Sequence, residues 1–334
     1  MTQPPEALAT IIIVSFNTRR FLARQMAALT AQTEQRFDLI VLDNASAPEE
    51  RPRADELLAR ARLMQNERNL GFAGGVNSAV KGVRTPFIAL LNPDAFPEPS
   101  WLAELLAAAE RWPEAAAFGA TQLRDETPGV LDGAGDEYAA WGFPYRALYG
   151  KRGPAPPYEE ETFSVCAAAA LYRREIFVRL GGFDGRFFCY CEDVDLGYRL
   201  RLAGSASVQA PRAVVRHVGG AAGGGAFADF HGARNRLWTF VKNTPSPIFQ
   251  ALAPAHVLAS LVLLALHAFD GRWRAQARGM WAGWRGLGPI LRQRRALQAG
   301  RGASAHDIAR ALIWSIPAVA RRARKRRAPT RPIL

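Results

Sequence analysis

Ile11-Ile12-Ile13-Val14-Ser15-Phe16-Asn17 is a β-branched run that stops at small and polar residues. With no polar alternation inside it, it reads as a strand buried on both faces, as in parallel sheets. Two later runs stop in the same way. Phe37-Asp38-Leu39-Ile40-Val41-Leu42 ends at Asp43-Asn44-Ala45-Ser46, and the strand expected from Pro86 to Leu91 ends at Asn92-Pro93-Asp94. Helices are expected from about Arg20 to Leu29, from Glu56 to Leu63, and after the glycine-rich stretch 69–77. Strands alternating with helices make an α/β layered fold with a mostly parallel sheet. Ligands bind such sheets at the carboxyl ends of the strands. Phe16-Asn17, Asp43-Asn44 and Asn92-Pro93-Asp94 therefore converge on one edge.

The rest of the chain is less regular. Residues 119–160 are rich in Gly, Pro and aromatics ("WGFPYRALYG", "GPAPPYEEE") and are expected to be long loops. Phe163 to Tyr172 reads as an apolar strand, followed by a short helix. An amphipathic helix begins near Glu192-Asp193, and a last strand, from Val208 to Val218, carries His217 at its end. "GGAAGGGAF" (219–227) is expected to be mobile, because ordering glycine costs so much entropy.

Composition is ordinary for a globular protein, with 49% hydrophobic and 22% charged among 334 residues. The net charge of +13 is unevenly spread. From Gly271 onward there are sixteen Arg or Lys and one acid, Asp307, a net +15, which leaves −2 on residues 1–270. Cys166, Cys189 and Cys191 are too few and badly spaced for a disulfide framework or a zinc site. They are expected to be reduced core thiols of a cytosolic protein. The N-terminus, MTQPPEALAT, lacks the pattern of a signal peptide.

Each polar cluster has a chemical and a plain reading. Asp43 can accept a hydrogen bond from a nucleobase, or simply close an Asx-turn. The glycines of "NLGFAGGVN" let backbone N–H groups approach a phosphate or a sugar, without forming a dinucleotide fingerprint. Asp94 offers a hard cation an oxygen ligand beside a stiff turn. Glu192, Asp193 and Asp195 suit a helix N-terminus, but three acids beside Phe187, Phe188 and Tyr190 exceed what capping needs. A base against an apolar wall gains basicity. Arg234 and Arg236 suit phosphate contacts.

In their order, "IIIVSFNTRRFL", "IVLDNAS", "NLGFAGGVNSAV", "IALLNPDA", "GGFDGRFFCYCEDVDLGYRLRLAG", "VVRHVGG" and "RNRLWTFVKN" resemble the family-2 inverting glycosyltransferases, especially the bacterial rhamnosyltransferase-like branch. The resemblance spans roughly residues 10–243. It implies a GT-A type, Rossmann-like mixed sheet flanked by helices, with a basic helical C-terminal extension. The implied division is a glycosyltransferase domain over 1–245 (a nucleotide-binding half over 1–95, an acceptor-binding half over 96–245) and a tail over 246–334. Asp193 is implied as catalytic base, with Glu192 in support. Phe16, Asn17, Asp43, Asn44, Asn69, Gly71, Phe72, Asn77 and Asn92 are implied to bind a nucleotide-sugar donor, with Arg234 and Arg236 as candidate diphosphate clamps. Asp94 and His217 are implied to hold Mg²⁺ or Mn²⁺. Asn92-Pro93-Asp94 stands where many relatives carry Asp-x-Asp. Cys166-Ala167-Ala168-Ala169-Ala170 departs from the family at a position where relatives often have Gly.

The function so implied is single-displacement transfer of a sugar from dTDP-rhamnose or a UDP-sugar to a lipid-linked or cell-envelope glycan acceptor. A donor-binding scaffold without turnover is the alternative. A nucleic-acid binder is disfavoured, because the body is nearly neutral and carries no DNA-binding motif. In the tail, "VLASLVLLALHAF" is interrupted by Gln250, Pro254, His256 and His267 and is marginal as a membrane span. Trp273, Trp281 and Trp284 among arginines, with "RRARKRR" at 321–327, suit an anionic membrane surface. The expected location is peripheral, on the inner face of the cell membrane, with the oligomeric state left open.

Overall fold

The computed structural model describes residues 6–220 and 223–325. Its strands are β1 (Ala9–Ser15), β2 (Phe37–Asp43), β3 (Ala61–Gln65), β4 (Phe87–Leu91), β5 (Ala95–Pro97), β6 (Ala115–Arg124), β7 (Leu131–Gly133), β8 (Asp136–Ala139), β9 (Phe143–Arg146), β10 (Glu160–Thr162), β11 (Ala169–Arg173) and β12 (Ala206–His217). The helices are α1 (Leu22–Thr30), α2 (Gly71–Val80), α3 (Trp101–Arg111), α4 (Arg174–Arg179), α5 (Glu192–Leu202), α6 (Ala226–Asn243), α7 (Ser246–Leu266), α8 (Trp273–Arg285), α9 (Leu287–Ala299), α10 (Ala305–Ala311) and α11 (Ile316–Ala320).

The main sheet runs β10-β12-β6-β11-β4-β1-β2-β3, with β5 added to β12 and β7 to β6. β4, β1, β2 and β3 are parallel neighbours. β11 lies antiparallel between β4 and β6, which makes the sheet mixed. The opening run is buried on both faces, as its composition requires. Ile11 and Ile13 pack with Leu39 and Val41 against α1 and α3. Ile12 and Val14 pack with Ile40 and Leu42 against α2 and α5. Each such side chain contributes about 1.5–3 kcal/mol when fully buried. Two helical layers therefore fix the sheet, and its carboxyl edge becomes a rigid platform.

Four expectations are corrected. The stretch 56–63 is not a helix: Ala54–Glu56 makes one 3₁₀ turn, and Ala61–Gln65 pairs with Leu39–Asp43. The open edge of β2 offers hydrogen bonds that outweigh helix propensity there. Residues 119–160 are not simply loops. β6 to β10 run through them, and β8 pairs with β9 in a hairpin turned at Gly142, which has a positive φ. The strand expected over 163–172 is confined to Ala169–Arg173, because 164–168 turn along the sheet edge. α5 is not amphipathic; it is buried on nearly all sides.

The reason lies in α6. The buried Asp195 carboxylate accepts hydrogen bonds from Arg199 Nε, Lys242 Nζ and Asn243 Nδ2 at 2.8–2.9 Å. Lys242 also bonds Asp184 at 3.0 Å. The polar side of α5 is thus matched by α6 rather than by water. Removing one partner of such a buried pair costs about 3–5 kcal/mol.

The C-terminal helices continue this packing. Gly279 and Gly283 of α8 let it approach α6 closely, and Trp238 Nε1 bonds Gly283 O at 2.9 Å. Arg294 donates to Val241 O and Thr244 O at 2.6 Å, closing the end of α6. Tyr138, Phe163, Tyr198, Ile248, Ile308 and Leu312 form a further core that joins the hairpin to the C-terminal helices. α7 differs: it is long and apolar enough to cross a membrane, with a mean hydropathy of 1.9, yet largely uncovered. Leu258, Leu261 and Leu266 are 64%, 51% and 70% exposed. Of the basic run 321–327, residues 326 and 327 lie outside the described residues, as do 1–5 and 328–334.

Candidate active site

The three strand ends meet as the layered reading requires. Val14, Phe16, Asn17, Thr18, Asn44, Asn69, Gly71, Phe72, Asn92, Pro93 and Asp94 line a cavity of about 490 Å³, closed on the far side by Phe188, Cys189, Gly223 and Phe227. Of the mobile stretch expected at 219–227, Ala221 and Ala222 lie outside the described residues. Gly223 accepts a hydrogen bond from the Tyr190 hydroxyl, and Phe227 rests on the rings of Phe188 and His231.

Asparagines build the near wall. Asn44 Nδ2 donates to Asn69 Oδ1 at 2.9 Å and to Gly71 O at 3.0 Å. Its Oδ1 accepts from Asn66 and from the Leu70 N–H. Asn17, at positive φ, ties the β1 and β2 turns together through Ser46 and Ala47. Gly71 must be glycine: its φ is +70°, and a Cβ would lie 2.3 Å from Phe188 O. Asp43 is buried just outside the cavity, with Oδ1 accepting from Ser46 N–H at 3.1 Å. Its plain Asx-turn reading therefore holds, whatever else it binds. Asn77 stands apart from the cavity, with its amide clasping both backbone groups of Phe183 at 2.7 and 3.0 Å. It positions the loop that carries Phe183.

Asp94 and His217 are brought together by β5 pairing with β12, where Ala95 lies opposite His217. His217 Nε2 is 3.4 Å from Asp94 Oδ1, and Nδ1 is 2.9 Å from Asp132 Oδ2. Burial would lower the imidazole pKa, but the Asp132 and Asp94 carboxylates outweigh it and raise it. A carboxylate oxygen and an imidazole nitrogen at one corner, with the other ring nitrogen held by a second carboxylate, is a donor set that fits a divalent cation.

Asp193, in the first turn of α5, lies against the residues that lead into β11. Its Oδ2 accepts from Ala167 N–H at 3.1 Å, and the next residue's carbonyl, Ala168 O, accepts from Asn92 N–H at 2.8 Å. Two neighbouring residues therefore bridge Asp193 to the metal turn. The departure noted at Cys166-Ala167 supplies the backbone donor that orients the carboxylate. Burial raises the Asp193 pKa, and the Ala167 and Val194 N–H groups oppose that rise. Glu192 is raised further by burial and by Asp193, and its Oε2 has no partner. Burial and the Asp193 charge favour its protonated form, while Asp193 keeps hydrogen bonds that favour ionisation. A hydrogen-bonded carboxylate beside a more strongly raised carboxyl is an arrangement that can carry general base chemistry.

Sequence reasoning missed three members of the site: Asp132, Asp136 and Arg146. Asp136, Cys166 and Asp193 place ligand atoms within 4.8 Å of one another, and burial pushes the Cys166 thiol up to about 12. Asp136 is raised by burial and by the Asp193 charge. Arg146 pairs with Asp132 and offsets the charge of both clusters. These residues sit on short strands without periodicity. The only sequence signal was Asp132 and Asp136 spaced around Gly133 and Gly135, a hairpin-like "DGAGD". The three cysteines are free, and two are buried.

The two arginines separate. Arg234 donates to Phe187 O at 2.8 Å and Arg186 O at 3.2 Å, and contacts His231 at 2.9 Å. It holds the loop and does not line the cavity, nor do Asp193, Glu192 and His217. Arg236 lies on Phe143, 4.3 Å from the ring centroid, also outside the cavity.

Comparisons with known proteins agree with this geometry. The family described as Glycosyl transferase family 2 matches residues 10–181. The chain is 30% identical over 231 residues to the N-acetylglucosaminyl-diphospho-decaprenol L-rhamnosyltransferase of Mycobacterium tuberculosis, covering 62% of this chain and 75% of that one. It is 30% identical over 221 residues to Rhamnosyltransferase WbbL of Escherichia coli, covering 58% and 77%. Among solved structures, the mannosyltransferase PcManGT from Pyrobaculum calidifontis, in complex with GDP-Man and Mn²⁺, matches with a TM-score of 0.50 at 17% identity over 88% of this chain and 86% of that one. GalNAc-T7 with UDP, GalNAc and Mn²⁺ matches with a TM-score of 0.54 at 15% identity, over 64% of this chain and 44% of the other. At these identities the structural likeness establishes the GT-A fold.

The corner makes a direct prediction. Asp132→Asn removes the carboxylate that orients His217 and lowers Mn²⁺ affinity by about 10–100-fold. Electron paramagnetic resonance of free Mn²⁺ reads this, and an unchanged affinity would contradict the assignment.

Proposed function

The chain belongs to glycosyl transferase family 2 and is a glycosyltransferase; from that premise we propose that it transfers rhamnose, or a related hexose, with inversion, from a dTDP- or UDP-sugar to a lipid-linked saccharide of the cell envelope. The observation that carries the reading is the Ala167-Ala168 bridge. It sets a hydrogen-bonded carboxylate, Asp193, beside the turn that presents Asp94 and His217. A base tied through two backbone residues to a diphosphate corner supplies the two poles that an in-line displacement needs.

In this reading the nucleotide lies against Phe16, Asn17, Asn44, Asn69, Gly71 and Phe72, within the half formed by residues 1–95. Asp193 takes the proton of the acceptor hydroxyl. The hydroxyl oxygen attacks the anomeric carbon, and the bond from that carbon to the diphosphate breaks on the opposite side. Asp94 and His217 would hold Mg²⁺ or Mn²⁺, which when bound supplies charge neutralisation to the leaving diphosphate. Burial favours the protonated form of Glu192, which would lessen the negative charge beside Asp193.

The acceptor class follows from the name of the mycobacterial relative and from α7. Its exposed leucines, together with Trp273, Trp281 and Trp284 at 40%, 66% and 51% exposure, stand among the tail's arginines. An apolar face fringed by tryptophan and arginine suits peripheral attachment to an anionic membrane surface. His256 ties the opposite face of α7 to the body, bonding Trp141 O at 2.9 Å and stacking on Phe240. The helix therefore lies along the surface, and we place the protein on the inner face of the cell membrane.

Two outcomes are expected. Asp193→Asn lowers the transfer rate by about 10²–10⁴-fold while nucleotide-sugar with Mn²⁺ still raises the melting temperature, since only the base is lost. Turnover persisting near the wild-type rate would remove Asp193 from the mechanism. In flotation assays the protein co-migrates with phosphatidylglycerol vesicles at low salt and is released as salt rises; indifference to the vesicles would remove the membrane assignment.

A further inference from the structure

Arg234, Asn235 and Arg236 are consecutive on α6, yet only two of them are occupied. Arg234 and Asn235 are spent on the carbonyls of the 186–190 loop; Asn235 Nδ2 alone donates to Phe187 O, Cys189 O and Tyr190 O at 2.7–2.9 Å. Arg236 has no hydrogen bond or ion pair among the described residues. Its guanidinium rests on the Phe143 ring, and its Nε is sealed from water without a partner. The groups that act on its charge are Cys191, Tyr138 and, less strongly, Asp229. Burial holds the first two in their neutral forms, and Asp229 is hydrogen-bonded to Arg272 on α8's N-terminal side, so none of them pairs with Arg236. A guanidinium stays protonated even when desolvated, and leaving one unpaired is costly. Its natural partner is an anion from outside the chain.

The position of Arg236 narrows that anion. On one side, Asn235 anchors the loop that runs directly into Glu192 and Asp193. On the other side, Phe143 lies 5.6 Å from His256 of α7. Beyond His256, Val257, Leu258, Leu261, Val262 and Leu266 form an uncovered apolar face. The order along the surface is base, unpaired cation, hydrocarbon-compatible helix. A lipid-linked acceptor has the same order of chemistry: sugar hydroxyl, diphosphate, hydrocarbon chain.

We propose that Arg236 binds the diphosphate of the lipid-linked acceptor, with the acceptor's chain running onto the exposed face of α7. The assignment rests on the acceptor class proposed above. It separates two diphosphates by place: the donor's at Asp94 and His217, the acceptor's at Arg236. Guanidinium is suited to this role because its fork of N–H groups pairs with phosphate oxygens bidentately.

Titration of the full chain with farnesyl diphosphate, farnesol, and dTDP or UDP with Mn²⁺ tests it. In Arg236→Gln, farnesyl diphosphate affinity falls about 10- to 100-fold, the range of a charge-assisted contact, while farnesol and nucleotide affinities stay as in the wild type. Arg236→Lys recovers part of the loss, which shows that charge rather than packing is at stake. Asp94→Asn gives the opposite pattern, weakening the nucleotides and sparing farnesyl diphosphate. The proposal is overturned if Arg236→Gln leaves farnesyl diphosphate binding intact, if the wild type does not bind it, or if nucleotide affinity falls equally. The last result would return Arg236 to the donor diphosphate. A wild-type chain that turns over no nucleotide-sugar would overturn the transferase reading instead, and these titrations do not depend on turnover.

Discussion

The Asp195 carboxylate, buried where α5 meets α6, is the contact on which the site's architecture depends. Lys242, Arg199 and Asn243 converge on it from two helices, and Lys242 extends the network to Asp184. Burial alone would raise the Asp195 pKa; Lys242 and Arg199 outweigh it and hold it below the ordinary carboxylate range. A carboxylate with a depressed pKa stabilises the fold at any pH above its unfolded value, and that contribution is lost as pH falls through the folded value. Asp136, Asp193 and Glu192 have the opposite sign. Their pKa values are raised in the folded state, so they favour folding while protonated and oppose it as pH rises through their folded values.

The same junction holds a strained backbone. Phe188, Tyr190 and Cys191 all have positive φ, directly ahead of Glu192 and Asp193. Each such residue costs on the order of 1–3 kcal/mol and persists only where its surroundings over-determine it. Here Asn235 captures three carbonyls of the loop, and Ala73 N–H bonds Phe188 O at 3.1 Å. The bend carries the chain from the cavity wall at Phe188 and Cys189 to the base within a few residues. It also fixes Gly71, whose Cβ would occupy the space of Phe188 O.

Much of this could be read from residue order. The β-branched runs ending in Asn17, Asp43 and Asp94 located the carboxyl edge, because strands buried on both faces admit no other pattern. Asp193 and His217 could be located but not connected, since the bridge is made by the backbone of Ala167 and Ala168, which has no side-chain signature. Asp132, Asp136 and Arg146 were hidden in short strands whose pairing is decided by the larger sheet rather than by local periodicity. Arg234 and Asn77 are expected at the donor, and packing shows in addition that each holds a loop. β3 read as helix because an edge strand takes its hydrogen bonds from a neighbour that the local sequence does not contain.

The central claim is that one displacement joins two poles, Asp193 and the Asp94–His217 corner, which the backbone of Ala167 and Ala168 links. Proton NMR of the product formed from a nucleotide-sugar of known anomeric configuration tests it most directly. A product whose anomeric configuration is opposite to the donor's is predicted, with the three-bond and one-bond couplings of the new linkage as the readout. Retention of the donor's configuration would require a second displacement and would contradict the account.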